Sequence, residues 1–260
     1  MATTDGRPRS GQDDAAANAA NTVSLGTAIA DRQSLIRAAV DALRIDPGQV
    51  TELRAIGVPL FRGRRGVVSG FFDDPDKLVK AASDVEDRGA KGIYVTLNPV
   101  DQALLCWADN KLIDGPEHTA ADSHIKRRYW LPLDFDPVRP ADTSATDDEL
   151  ASARGRALDA VNWLRSQLHD DPVLWGFSGN GYHLLFRIDL PNNDLALRFV
   201  SNVLNKTADR FDDERVKVDR TVHNAARIWK LYGTIARKGA SIARIGRIHR
   251  RSRLMPEGFR

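Results

Sequence analysis

The order of strands and helices between residues 128 and 219 constrains the fold of this chain more than any other feature. Short runs rich in apolar and aromatic residues alternate there with longer segments whose apolar residues recur at helical spacing. The predicted elements are a strand at 128–136, a helix at about 147–168, strands at 173–178 and 181–189, a helix at 192–211 and a strand at 216–219. This βαββαβ order predicts a split βαβ unit, a four-stranded antiparallel sheet in which the first and third strands are neighbours.

Local signals support the ends of these elements. Thr146 and Glu149 have the spacing of a capping box at the start of the first helix. Gly179-Asn180-Gly181 separates the second strand from the third and suits the positive φ values of a hairpin turn. The sequence therefore predicts that the strands at 173–178 and 181–189 form a tight hairpin.

The rest of the chain divides into three stretches. Residues 1–24 are small and polar and are expected to be disordered. Residues 25–64 are expected to form an accessory helical segment, with a helix at about 28–43. Residues 65–260 are expected to form the main α+β domain. It begins with a smaller N-terminal α/β layer made of a strand at 66–72, a helix opened by Asp74-Pro75 and a strand at 92–97.

Composition excludes several classes of protein. The chain has 260 residues, 42% of them apolar and 28% charged, as in ordinary soluble domains. No apolar run approaches the roughly 20 residues that span a bilayer, and the N-terminus lacks a secretory signal, so we expect a cytoplasmic protein without membrane contact. Cys106 is the single cysteine, which excludes an internal disulfide and a zinc site built from several cysteines.

Two carboxylates end the first strand of the βαββαβ unit. Asp134 and Asp136 share one face of the strand, while Phe135 takes the other, because successive side chains alternate. Neighbouring carboxylates repel unless a cation lies between them, and Mg²⁺ or Mn²⁺ prefers such oxygen ligands. The alternative is a strand end that runs into a solvated turn.

A histidine and a third carboxylate accompany this pair. Because the first and third strands are neighbours, His183 is expected near Asp134 and Asp136, as a metal ligand or, when protonated, a phosphate contact. The alternative is a half-buried strand histidine without a ligand. Asp219 follows the last strand, whose start rather than its end is expected beside Asp136, so topology alone does not bring Asp219 to the pair.

Charge is unevenly distributed along the chain. Residues 221–260 contain ten Lys or Arg and one acidic residue, although the whole chain carries a net charge of +3. Such a segment is typical of a phosphate-binding surface, and the alternative is a solvated basic tail. The candidate contacts to a nucleic-acid strand are Arg62, Arg64, Arg65, Lys238, His249 and Arg250.

Three spaced motifs resemble one family. They are Leu133-Asp134-Phe135-Asp136-Pro137-Val138-Arg139-Pro140, then Ser178-Gly179-Asn180-Gly181-Tyr182-His183, then Val218-Asp219 followed by Asn224-Ala225-Ala226-Arg227-Ile228-Trp229-Lys230-Leu231-Tyr232-Gly233-Thr234. The segment 92–99 is similar as well. The chain resembles the archaeo-eukaryotic primase superfamily, in its primase-polymerase branch of bacterial plasmids, phages and mobile elements, over roughly residues 65–253.

This resemblance implies a fold and an activity. The fold would be a catalytic sheet like that of the RNA-recognition motif, packed with the N-terminal α/β layer. The activity would be DNA priming or polymerisation, which transfers nucleotides from NTP or dNTP substrates onto a primer strand along a single-stranded DNA template. The sequence contains no Walker A motif, so a replicative helicase would act in trans or belong to a longer protein beyond these 260 residues. The single cysteine rules out the zinc-binding element of larger primases, so primer initiation would depend on another module.

The resemblance also implies roles for single residues. Asp134, Asp136 and Asp219 would hold two divalent metals, Mg²⁺ or Mn²⁺, while Ser178 and His183 would contact the nucleotide phosphates. Arg227 and Lys230 would bind triphosphate or template backbone. No zinc is expected. Asn180 replaces an arginine found in some relatives, which leaves the contacts to the triphosphate open.

Two other functions fit parts of the sequence. A non-catalytic single-stranded nucleic-acid binding module would keep the sheet without the chemistry, and a D-x-D glycosyltransferase would leave the histidine motif unexplained. Aromatic residues offer base-stacking candidates, although most of them are expected in the core. They are Tyr94, Trp130, Trp175, Trp229 and Tyr232.

Overall fold

The computed structural model describes residues 30–168 and 174–255, and they form two antiparallel five-stranded sheets with four helices. The predicted disorder of residues 1–24 lies outside the described residues. None of the helices in the described ranges is long and apolar enough to cross a membrane.

The first sheet contains the N-terminal strands. Its strands are, in sheet order, β4 (Ile113–Asp114), β2 (Arg65–Phe72), β1 (Thr51–Pro59), β3 (Gly92–Thr96) and β9 (Ile228–Lys230). Helix α1 at residues 30–43 and helix α2 (Pro75–Asp87) pack their apolar side chains into the same core as this sheet. Asp74 caps α2, because its carboxylate accepts the backbone N–H groups of Asp76 and Lys77.

The second sheet contains the βαββαβ unit. Its strands are, in sheet order, β12 (Arg253–Leu254), β6 (Leu174–Phe177), β7 (Tyr182–Pro191), β5 (Arg127–Pro137) and β8 (Val216–Val218). Helix α3 (Asp147–Leu168) connects β5 to β6, and helix α4 (Asp194–Phe211) connects β7 to β8. The predicted elements of this unit are all present, and β5 lies beside β7 as expected.

Strand β5 lies near the centre of this sheet because one of its faces is wholly apolar. Leu131, Leu133 and Phe135 are fully buried, in one core with residues of α3 and α4. Burial of each such side chain contributes about 1.5–3 kcal/mol. Alternation along the strand turns Asp134 and Asp136 away from this core, toward the first sheet.

The structure corrects the prediction for residues 25–64. The expected helix is present over residues 30–43, but Thr51–Pro59 forms strand β1, which pairs with both β2 and β3. Glu52 obscured this strand in the sequence, since it is a fully buried charge in the apolar pattern. Its carboxylate is satisfied by Arg54, by the Ser69 hydroxyl and by the backbone N–H of Ala120. The division of the chain at residues 24 and 64 stays a prediction.

The C-terminal segment, residues 228–254, connects the two sheets. It supplies β9 to the first sheet and β12 to the second, with the short hairpin β10 (Ile235–Ala236) and β11 (Arg250–Arg251) between them. None of these strands was predicted, because two or three residues are too few for a periodic pattern to emerge.

Candidate active site

A cavity of about 300 Å³ lies where the two sheets meet. The lining residues that carry chemistry are Tyr94, Asp134, Asp136, Ser178, His183, Asp219, Arg227, Lys230 and Lys238. They come from β3, β5, β7 and β9 and from the turns beside them. The structure therefore brings together the predicted catalytic and nucleotide-binding residues, although their motifs are up to about a hundred residues apart in sequence.

Asp134 and His183 are direct cross-strand partners in β5 and β7. His183 Nε2 lies 3.4 Å from Asp134 Oδ1. Asp134 Oδ1 is buried and accepts no hydrogen bond. A buried carboxylate oxygen without a donor is unfavourable unless a ligand satisfies it.

Asp136 shares the cavity floor with Asp134. Burial, and secondarily the charge of Asp134, raise the pKa of Asp136 to about 6. Arg139 opposes this shift, with its guanidinium 3.3 Å from the carboxylate. A cation between the two carboxylates would remove their repulsion.

Asp219 lies closer to the pair than the sequence predicted. Strand β8 is only three residues long, so its start faces Pro137 and its end faces Phe135. The backbone N–H of Asp219 then donates to the carbonyl of Asp134, at 2.9 Å. Because β8 is so short, both of its ends lie beside the end of β5 that carries the two aspartates.

The carboxylate of Asp219 is nevertheless engaged elsewhere. Its Oδ1 accepts hydrogen bonds from the backbone N–H and the hydroxyl of Thr221, at 2.8 and 2.7 Å. Within residues 30–168 and 174–255, no group of three or more His, Cys, Asp or Glu side chains is arranged to hold a metal ion. The predicted three-carboxylate set is thus not assembled as a ready metal site. Asp134 and Asp136 fit a cation by themselves, because one of their oxygens is buried without a donor.

Two aromatic residues behind His183 fix its ring. The hydroxyl of Tyr232 lies 2.8 Å from His183 Nδ1, and the indole N–H of Trp229 donates to the same hydroxyl at 3.0 Å. Because an indole can only donate, the Tyr232 hydroxyl oxygen accepts the hydrogen bond from Trp229. The hydroxyl can then donate its own proton to His183 Nδ1. Nε2 then carries the imidazole proton and faces the cavity. Gly176 leaves room for this arrangement, since a Cβ there would lie 2.2 Å from the Tyr232 oxygen.

Ser178 organises the turn between β6 and β7. Its hydroxyl accepts the backbone N–H groups of Asn180 and Gly181, at 3.2 and 2.9 Å. Gly179 has a φ of 98°, which confirms the predicted positive φ at one of the three turn residues. A Cβ on Gly181 would lie 2.6 Å from the Phe135 carbonyl, so glycine lets the turn approach β5. Asn180 accepts the backbone N–H of Ala145 and so connects this turn to the loop before α3.

Six cationic side chains line the cavity. They are Lys91, Arg139, Arg227, Lys230, Arg237 and Lys238. Lys91, Arg139 and Arg237 were not among the predicted site residues, although Arg139 lies within the first motif and Arg237 in the basic C-terminal segment. These six cations outnumber the four aspartates of the lining. The cavity is therefore suited to bind a polyanion.

Lys230 is the most deeply buried of these cations, with 5% of its surface exposed. Its ammonium donates to the carbonyl of Ile235 at 3.1 Å and lies over the ring of Tyr94. Burial lowers the pKa of Lys230 to about 7, and the charge of Glu86 partly opposes this.

The other predicted strand-binding residues lie outside the cavity. Arg250 donates to Asp147 and to the carbonyl of Ala145, so it holds the C-terminal segment in place rather than standing free for a template. His249 contacts the carbonyl of Gly239. Arg62 and Arg64 are exposed on the turn between β1 and β2, and Arg65 is exposed at the start of β2.

The aromatic candidates are mostly core residues, as expected. Trp130, Trp229 and Tyr232 are buried, at 3%, 3% and 1% exposure. Tyr94 and Trp175 are half-buried, and of the five candidates Tyr94 and Trp229 line the cavity.

Solved structures similar to this chain include a domain of a primase-polymerase and a primase. The AEP domain of the cyanophage S-2L primase-polymerase has a TM-score of 0.48 and 15% sequence identity, over 85% of this chain and 88% of that chain. The primase RepB′ has a TM-score of 0.45 and 10% identity, over 86% of this chain and 56% of that chain, so this chain spans little more than half of RepB′. No protein-family model matches the sequence, and neither does any curated protein.

Proposed function

We propose that this chain is a primase-polymerase that transfers nucleotides onto a strand paired with single-stranded DNA. The observation that carries the proposal is the pair Asp134 and Asp136, one of whose oxygens is buried without a donor, in a cavity lined by six cations. Clustered carboxylates need a metal and clustered cations need an anion. A metal-bound nucleoside triphosphate supplies both.

The sheet supports this proposal. Its strand order, β6-β7-β5-β8 with α3 and α4 as connections, is the order expected of a sheet like that of the RNA-recognition motif. The proposed active site uses the interior strands β5 and β7, which are paired along both edges.

Divalent metal is part of the proposal. Asp134 and Asp136 would hold Mg²⁺ or Mn²⁺, and Asp219 is proposed as a further ligand because it lies beside Asp134. Such ions stabilise charge on the attacking and leaving oxygens of an in-line phosphoryl displacement. No protein nucleophile is needed.

The remaining residues of the cavity bind and orient the substrate. His183 would donate its Nε2 proton to a phosphate oxygen, and Lys230 and Arg227 would neutralise the triphosphate. The turn held by Ser178 would border the same phosphates. These contacts position the reacting groups and stabilise charge, which are the main tasks of a protein in this chemistry.

Strand synthesis tests the proposal directly. The protein would be incubated with Mn²⁺ or Mg²⁺, with all four dNTPs or all four NTPs, and with single-stranded DNA, bare or carrying an annealed primer. Asp134→Asn and Asp136→Asn should abolish synthesis, whereas Asp189→Asn should not, because Asp189 is an exposed carboxylate at the far end of β7 that pairs with Arg127.

Each outcome has a defined meaning. Products on the bare template would establish a primase, and extension that requires a primer would establish a polymerase. Synthesis retained in both cavity variants would contradict the active site. DNA binding without any synthesis would instead favour the non-catalytic binding module.

A further inference from the structure

The turn between β1 and β2 carries an exposed aromatic side chain among arginines. Phe61 is 84% exposed, the highest value among the large apolar side chains of the described chain. Arg62 and Arg64 follow it in the chain, and neither makes an ion pair within the described residues. The guanidinium of Arg62 lies over the Phe61 ring, 5.4 Å from its centroid.

The backbone of this turn is closed and partly strained. The N–H of Leu60 donates to the carbonyl of Arg64 at 2.7 Å. Arg62 has a φ of 60°, in the left-handed region that residues other than glycine adopt at a cost. The turn therefore presents the Phe61 ring and the two arginines to solvent, with little of the ring's surface buried.

A basic path connects this turn to the cavity. Ile56 of β1 and Lys91 line the cavity, and the N–H of Lys91 donates to the carbonyl of Ile56. Arg237 donates its own N–H to the carbonyl of Lys91. Arg65 bonds to the carbonyls of Gly57 and Gly89, between the cavity wall and the turn.

The distance along this path suits a strand rather than a small ligand. Phe61 follows Ile56 by five residues, which places it on the order of 15 Å from the cavity wall along an extended strand. Cations then continue from the cavity, through Arg237, Lys91 and Arg65, to Arg64 and Arg62 at the tip.

We infer that this turn is a binding site for the single-stranded template outside the active site, with a base stacked on Phe61 and phosphates on Arg62 and Arg64. Stacked aromatic rings beside a cationic track are the general means of binding single strands without sequence preference. The inference rests on the proposed function, because that function brings a template strand to the cavity.

Binding of a fluorescent single-stranded oligonucleotide, measured by anisotropy without nucleotide or divalent metal, tests this site. Phe61→Ala should raise the Kd by about 5- to 150-fold, the range for loss of one stacked base. Phe61→Trp should keep the affinity, because the larger ring stacks at least as well. Phe199→Ala is the matched control, since Phe199 is an exposed phenylalanine on α4, far in sequence from the turn.

Salt dependence tests the arginines separately. Arg64→Ala should lower the slope of log Kd against log salt concentration by about 0.7, the value for one lost single-strand phosphate contact. Lys206→Ala, which removes an exposed lysine of α4, should leave the slope unchanged.

Wild-type affinity in Phe61→Ala, or an equal loss in Phe199→Ala, would overturn the site. So would a concentration-dependent dimer of the wild type that Phe61→Ala abolishes, because the ring would then contact a second copy of the chain. An inactive protein that binds DNA through Phe61 would overturn the proposed function and keep this site. An active enzyme whose DNA binding does not depend on Phe61 would keep the proposed function and overturn this site.

Discussion

Two aromatic residues behind His183 determine which of its ring nitrogens carries the proton that faces the cavity. Trp229 donates to the Tyr232 hydroxyl, which leaves the hydroxyl proton for His183 Nδ1 and the imidazole proton for Nε2. Tyr232 is thus a positioning residue, because it acts on the substrate only through His183.

Tyr232→Phe should raise the KM for the nucleotide by about 2- to 12-fold, as expected for one lost neutral hydrogen bond, with little change in kcat. The His183 ring would also lose its single tautomer, which nitrogen NMR shifts of the imidazole would report. Tyr129→Phe is the control, since Tyr129 lies at the other end of β5. Unchanged nucleotide dependence together with an unchanged tautomer would remove Tyr232 from this role.

The buried charge of Lys230 makes the stability of the folded protein depend on pH. The unfolded chain keeps the Lys230 proton up to a pKa near 10.5, whereas the folded chain releases it at about 7. Between these values the unfolded state binds more protons, so the wild type gains stability as pH rises.

Lys230→Met should therefore stabilise the fold by about 1–4 kcal/mol near neutral pH, in the range for replacement of buried ionic groups by apolar ones. This gain should shrink as the pH approaches 10.5. Urea unfolding at several pH values would measure it, with the exposed Lys206→Met as control. A gain that does not depend on pH would contradict the lowered pKa. The same variant should bind the nucleotide less tightly.

At the scale of elements, the active site depends on how closely the β6–β7 turn approaches β5. Gly181 lies where a Cβ would be 2.6 Å from the Phe135 carbonyl and 2.9 Å from Asp136 Oδ1. Real side chains do not approach so closely, so a methyl group there must displace the turn or the end of β5.

Gly181→Ala should destabilise the fold by about 1–3 kcal/mol, the usual cost of overpacking, and should reduce synthesis further by moving Asp136. Gly155→Ala is the control, and it should change the stability of the fold in the opposite direction. Gly155 is an exposed residue within α3 with open space around it, so alanine there should stabilise by about 0.5–1 kcal/mol. Thermal unfolding of both variants would decide, and equal effects would contradict the close approach.

At the scale of the whole molecule, the sequence predicted the second sheet better than the first. The period of two in β5 and β7, with the βαββαβ order, was enough to place His183 opposite Asp134. Strand β1 was missed because the buried Glu52 breaks its apolar pattern, and its partners Ser69 and Ala120 are distant in sequence. The position of Asp219 was misjudged because register depends on strand length, which periodicity does not give.

The C-terminal segment shows most clearly what sequence patterns omit. Its arginines were expected to bind a nucleic-acid strand, yet Arg247, Arg250 and Arg251 form ion pairs with Glu149, Asp147 and Glu86. Composition shows that cations are present, but only the fold shows which anions they meet. The segment therefore borders the cavity as part of the structure, and its cationic contributions to the lining are Lys230, Arg237 and Lys238.

Glu86 of α2 connects three distant parts of the chain. Its carboxylate, 2% exposed, pairs with Arg251 of the C-terminal segment at 3.0 Å and with Arg32 of α1 at 3.5 Å. It also accepts the backbone N–H of Ile235 in β10. A buried carboxylate with these partners holds the C-terminal segment and α1 against α2.

Glu86→Ala should therefore destabilise the protein by about 1–3 kcal/mol, because it removes the acceptor of the Ile235 N–H and the carboxylate partner of the partly buried Arg251. Asp87→Ala is the adjacent control, since Asp87 is 61% exposed and pairs with Arg32 at the surface, where loss costs about 1 kcal/mol or less. Urea unfolding would compare the two. Limited trypsin digestion should cleave the Glu86→Ala protein first within residues 237–251, because the freed segment carries five arginines and a lysine. Equal stability of both variants, with no new cleavage there, would mean that other contacts hold the segment that borders the cavity.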